Sequence, residues 1–157
     1  MRVDLEVHSV AARPVVWDVL TAWERQPEWM LDARSVRVLT PQREGSGVTI
    51  VSPTLLLGVT VDDIMRVTRW EDGRVLEVVH LGRIITGTGA FELDDGPDGG
   101  TTIRWWEEVA PPLGALGEWG ATTFVAPFIR WLFTRSLTNL ARLAEREGAA
   151  GVTSHPG

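Results

Sequence analysis

Cysteine, tyrosine and lysine are all absent from this 157-residue chain. Without cysteine there is no disulfide framework, no thiolate nucleophile and no Cys-based zinc or iron-sulfur site. Histidine is scarce as well: His8, His80 and His155 are the only three. They are too scattered for a metal site, so neither a metal nor a cofactor is expected. All 15 basic side chains are arginine, a skew ascribed to GC-rich codon usage and carrying no mechanistic implication. Positive charge is in deficit, with a formal net charge of -6. No basic stripe is available to displace counterions, which argues against nucleic acid as a partner. Long apolar runs are missing too. The longest, 113–117 followed by 119–129, is interrupted by Glu118 and Pro127 and is too short to span a bilayer. The amino terminus, MRVDLEVHSV, alternates from its second residue and lacks the apolar stretch of a signal peptide, so the cytoplasm is the expected compartment.

What is present is a chain long enough for one core. A 44% hydrophobic content excludes a mostly disordered polymer, and a domain of this size buries roughly 68 to 70% of its unfolded surface. Residues 2–8 alternate with Val3, Leu5 and Val7 on one face, the period of a strand with one wet side. PVVWDVLTAWERQPEWM follows. Pro14 suits a helix's first turn, Val16, Val19, Leu20 and Trp23 step at helical spacing, and a break at Gln26-Pro27 opens a second short helix through Met30. Six segments bounded by Gly, Pro or Asp then read as strands: 35–40, 48–57, 59–70, 74–82, 86–93 and 101–109. From about 116 to 146 the pattern is helical, with Phe124, Phe128, Leu132, Ser136, Leu140 and Leu143 on one face. Pro127 either kinks this helix or begins it. The expected organisation is one domain over 1–147 and a disordered tail over 148–157.

The Asp72-Gly73 pair is the composition of a two-residue type I′ hairpin. That loop pairs residues whose numbers sum to 145: Trp70 with Val75, Val67 with Val78 and Met65 with His80, with Asp63 one step further along.

The order strand, two short helices, six strands and a long carboxy-terminal helix is that of the helix-grip fold. VVWDVLTAWERQPEWM resembles the helix pair of the START-like (SRPBCC) superfamily, and GGTTIRWWEE resembles its last-strand signature. Together the resemblance covers about residues 3 to 146, and within the superfamily the chain is most similar to the polyketide cyclase or dehydrase branch. It implies an α+β fold: a seven-stranded antiparallel sheet wrapped around the long helix, enclosing a cavity for a lipid-like, aromatic or polyketide molecule. The superfamily's oxygenases use a two-His, one-carboxylate iron site, and the three histidines here show no such spacing. Its aromatase and cyclase members draw on an arginine before the central hairpin and on a pocket tyrosine. This chain has Val67 or its neighbour at that arginine position, with Arg66 and Arg69 adjacent, and it has no tyrosine, so that mechanism does not transfer.

Strand parity turns Val36, Val38, Ile50, Val61, Met65, Val67, Leu76, Val78, Phe91, Leu93, Ile103 and Trp105 inward, with Trp23, Trp29, Phe124, Phe128 and Leu132 on the lid side. Of these, the candidates for touching a ligand are Trp23, Trp29, Met65, Val67, Val78, Phe91, Trp105, Phe124, Phe128 and Leu132; for each the plain alternative is a core role. The same parity turns Ser52, Asp63, His80 and Glu107 inward. A buried carboxylate is costly unless paired, so either Asp63 keeps His80 protonated or Glu107 retains a proton as a general acid. The plain alternatives are a satisfied core histidine, a Glu107–arginine ion pair and a solvated Asp63. Gly82, Gly87 and Gly89 cluster where a helix is expected to approach the sheet. The apolar tip 53–58 either rims a mouth or a dimer contact or is a turn buried under the first helices, and Trp106 faces outward beside Arg104 and Glu108.

These features are read as a domain binding a hydrophobic or polyketide-like small molecule. One alternative is a cyclase or dehydratase using His80 with Asp63 or Glu107. The other is a non-catalytic partner-binding or regulatory module, and a homodimer stays open.

Overall fold

Seven strands in one antiparallel sheet, ordered β1-β7-β6-β5-β4-β3-β2, form the frame of the protein in a computed structural model that describes residues 1–56, 58–110 and 125–153. The strands are β1 Arg2–Ser9, β2 Arg37–Val38, β3 Thr49–Leu56, β4 Val59–Glu71, β5 Val75–Leu81, β6 Thr86–Asp95 and β7 Thr101–Val109. From β2 to β7 each strand pairs with its successor, while β1 pairs with β7, so the first two strands of the chain, β1 and β2, form the two sheet edges. Helix α1, Arg13–Thr21, and a 3₁₀ segment, Trp23–Glu28, follow β1; helix α2, Ala126–Thr153, closes the fold. The chain thus has the helix-grip arrangement, and no described helix is long and apolar enough to cross a membrane.

Alternation explains the packing. Val16, Val19 and Leu20 of α1 and Leu137, Leu140 and Ala144 of α2 are fully buried, and they meet Val67, Leu76, Leu93, Ile103 and Trp105 of the sheet in one core. Burying a side chain of this size contributes about 1.5 to 3 kcal/mol. Trp17 and Trp70 meet edge to face with ring centroids 5.0 Å apart, which seats α1. Pro127 lies in the first turn of α2, where a missing N–H costs nothing. Ser136, on the otherwise apolar stripe of α2, is tolerated because its Oγ accepts the Leu31 N–H at 3.1 Å.

Four local expectations are corrected. The first helix breaks at Ala22 (φ -76, ψ 76), and Pro27 sits inside the 3₁₀ segment that follows, where the tighter winding accommodates it. The central hairpin has three loop residues: Glu71 pairs with Val75, and the Arg74 N–H donates to Glu71 O at 2.8 Å. Only Gly73 takes positive φ (+70), the signature of a type II turn. A bulge between Val67 and Arg69 then absorbs the extra residue, so Trp70 pairs with Leu76, yet Val67 still pairs with Val78 and Met65 with His80. Strand β2 covers only Arg37–Val38 of the expected 35–40, its ladder ending before Pro41. Finally, α2 continues through Gly148 as far as Thr153, because Gly148 packs beside Val15 and Ala11 of the α1 region. The expected lead-in 116–124, Leu57 and the tail beyond Thr153 lie outside the described residues.

Candidate ligand cavity and its buried ionic cluster

Between the 3₁₀ segment, the first half of α2 and the concave face of β3–β7 lies a cavity of about 190 Å³. Most of its wall is apolar. Trp23, Met30, Ile50, Met65, Leu76, Val78, Phe91, Trp105, Leu132 and Phe133 supply the interior, and partly exposed Leu55, Ile84 and Phe128 rim the mouth. Phe91 stacks on Trp105 at 4.8 Å and Trp105 on Phe133 at 4.4 Å, so a run of rings joins the sheet to α2 along one wall.

The polar residues expected to face inward do so: Ser52, Asp63, His80 and Glu107 are 2 to 7% exposed, and all four line the cavity. The backbone explains why three of them meet. Asp63 on β4 lies two residues from Met65, the partner of His80 on β5, so the two side chains share a face and a diagonal. His80 Nδ1 lies 2.9 and 3.0 Å from the two carboxylate oxygens of Asp63. Glu107 is on β7, two strands from β5 and so about 9.6 Å away across the sheet. The intervening strand presents Gly87 opposite His80 and Gly89 opposite Glu107. A Cβ on Gly89 would sit 2.1 Å from Glu107 Oε2, so the missing side chain is what admits the carboxylate. Across this notch Glu107 Oε1 reaches His80 Nε2 at 2.5 Å, and Oε2 accepts the Trp105 indole N–H at 2.8 Å. At Gly89 the expected helix approach is replaced by a side chain from the neighbouring strand, and at Gly87 by that strand's backbone, a Cβ there lying 2.0 Å from Glu108 O.

Burial alone pulls the His80 pKa down. The hydrogen bonds to Asp63 and Glu107, with the charges of Glu107 and Asp63, outweigh it and raise the imidazole from 6.5 to about 10. The ring is therefore an imidazolium at neutral pH, donating from both nitrogens. Glu107 meets no arginine; its partners are His80 and Trp105.

A residue outside the sequence reasoning completes the polar end. Asp32 follows the 3₁₀ segment, where its carbonyl accepts the Leu55 N–H at 3.1 Å and Ala33 bridges Thr54. Its carboxyl lines the cavity, and burial, aided by the charges of Asp63 and Glu107 and opposed by a backbone N–H bond, raises its pKa from 3.8 to about 6. Oδ1 of Asp32 and Oγ of Ser52 are buried without a hydrogen-bond partner among the described residues. No periodic pattern marks Asp32; the only signal was an acidic residue directly after WERQPEWML.

Of the other expected ligand contacts, Trp23, Met65, Val78, Phe91, Trp105, Phe128 and Leu132 line the cavity. Val67 and Trp29 do not; both are sealed in the core, Trp29 edge-on to Phe91 at 5.9 Å. Phe124 lies outside the described residues. Among those described, no group of His, Asp and Glu is arranged to hold a metal ion.

A family of polyketide cyclases, dehydrases and lipid-transport proteins matches residues 1–145. The chain belongs to that family. Solved structures share the architecture of this polyketide cyclase/dehydrase family member at low identity. TTHA0849 from Thermus thermophilus is 14% identical with a TM-score of 0.78, the match covering 92% of this chain and 97% of that one. A START superfamily protein from Mycobacterium smegmatis is 15% identical, with a TM-score of 0.67 and coverage of 95% and 97%. The Zhui aromatase/cyclase of a Streptomyces species is 17% identical, with a TM-score of 0.70 and coverage of 93% and 94%. At such identities the likeness is one of fold. No curated protein sequence matches this family member.

Proposed function

We propose that the protein binds a hydrophobic or polyketide-like small molecule in the cavity between α2 and the sheet. The observation carrying this reading is an apolar cavity of about 190 Å³ with a single polar end whose hydrogen-bonding atoms are not all used. A packed core leaves few such atoms. The supporting comparison is membership of a family whose description joins cyclases with lipid transport.

A cyclase or dehydratase is the second reading, favoured because Asp63, His80 and Glu107 all face the cavity. Geometry weighs against His80 as the base. Both ring nitrogens are bonded to carboxylates, so no lone pair is free, and a pKa of about 10 makes the ring a weak acid near neutrality. A partner-binding reading rested on Trp106 or on residues 55–57; the Trp106 ring is covered by the Arg2 guanidinium 4.7 Å from the centroid, while exposed Leu55 belongs to the cavity rim.

Native mass spectrometry of protein purified from its source tests the proposal. An adduct that leaves on denaturation is the expected result; protein that carries no adduct and takes up no neutral fluorescent probe rules the reading out. The recovered molecule also separates the two readings. Incubated with fresh protein, it comes back unchanged if the protein only binds and is converted if the protein is a cyclase.

A further inference from the structure

The charged groups of the cavity are unbalanced in sign. Asp32, Asp63 and Glu107 line it with one imidazole and with Met1, whose α-amino group donates to the Val109 carbonyl at 2.9 Å, and none of the chain's 15 arginines does. Asp63 and Glu107 are already committed to His80. What remains unpartnered among the described residues is Asp32 Oδ1, an acceptor, and the Oγ of Ser52, which is 2% exposed. A buried polar atom without a partner is destabilising, so a ligand group that satisfies these atoms gains what they otherwise forgo.

We propose that Asp32 and Ser52 form the recognition point for a neutral hydrogen-bond donor, a hydroxyl or phenol, at the end of an otherwise apolar ligand, and that the cavity rejects anionic amphiphiles. This rests on the cavity being the ligand site. A hydroxyl carries both the proton that Asp32 accepts and the lone pairs that Ser52 donates to, whereas a carboxylate or phosphate meets three carboxyl groups with no guanidinium to offset them. An ammonium is disfavoured as well. It would have to shed its hydration into a mostly apolar wall with only one uncommitted carboxyl, and burial already disfavours that carboxyl's charged form.

Displacement of the neutral probe N-phenyl-1-naphthylamine by four matched compounds tests this. 4-Hexylphenol should compete at roughly tenfold lower concentration than 4-hexylanisole, 4-hexylbenzoate or 4-hexylbenzylamine. In Ser52→Ala and Asp32→Ala the advantage of phenol over anisole should shrink to about threefold or less. Anisole, benzoate or the amine matching the phenol overturns the proposal, as does a phenol preference that survives both substitutions. If the naphthylamine itself does not bind, the cavity is not a ligand site and this inference falls with that reading; if it binds and the four compounds compete alike, only the inference falls.

Discussion

Asp32 is the residue whose removal should stabilise the protein. Its folded pKa of about 6 stands above the ordinary 3.8 because burial penalises the charged form. A group raised in this way favours folding while protonated, and that favour is lost as pH climbs from about 3.8 through 6. Asp32→Asn keeps a neutral side chain of the same shape. We expect it to raise unfolding stability at pH 7 by roughly 3 kcal/mol, the gain disappearing near pH 3.5, as read by urea denaturation at the two pH values. A stability gain at a polar cavity residue is the usual mark of a group retained for function. Asp32 also shows where sequence reading stops. It sits in irregular chain between a 3₁₀ segment and an isolated bridge, so neither the period of two nor that of 3.6 assigns its side chain a face. Ser52, Asp63, His80 and Glu107 were legible because strand alternation fixes facing wherever one face is buried.

At the scale of the elements, β6 is the strand that assembles the cluster by contributing nothing to it. His80 and Glu107 belong to strands on either side of it and touch through the gap at Gly89, while a Cβ at Gly87 would strike the backbone of Glu108 and Val109. Gly89→Ala places a methyl where the Glu107 carboxylate now sits, with backbone angles that alanine tolerates. The expected cost is on the order of 3 kcal/mol, because displacing Glu107 leaves buried charge uncompensated. Loss of the alkaline imidazole pKa by NMR distinguishes this from general loosening of the strand. The two glycines were visible in TGTGA, but not their purpose, since which strand fills a notch depends on pairing across the whole sheet. The central hairpin gives a second lesson. A two-residue turn and a regular ladder lead to Met65 opposite His80, and so do a three-residue turn and a bulge at Thr68. The Asp-Gly pair announces a turn, and its length is settled by the twist the flanking strands adopt.

For the whole molecule, the sheet order and the closing helix were readable because each strand and the α2 stripe carry a clean period, and meandering neighbours leave few topologies. Cavity volume was not readable, since it depends on how far α2 stands from the sheet, and residues such as Phe133 reach across that gap through ring stacking rather than pattern. The same arrangement sets the response of the fold to alkali. The stability from His80, whose folded pKa of about 10 exceeds the ordinary 6.5, is complete below about pH 6.5 and is lost as pH rises through 10. Melting temperature should therefore fall between pH 8 and 10.5 in the wild type, and His80→Gln should flatten that slope; an unchanged slope would place the proton elsewhere.

The clamp on His80 acquires one more property from its setting. Ordinary carboxyl, imidazole and α-amino groups release their protons below about pH 9 and guanidinium groups above 12, while the thiol, phenol and ammonium side chains that fill the interval are exactly those this chain does not contain. Between those limits the folded protein still holds the His80 proton, shared by three strands. An electrode following base consumption in that interval thus counts folded molecules one proton at a time, without a label.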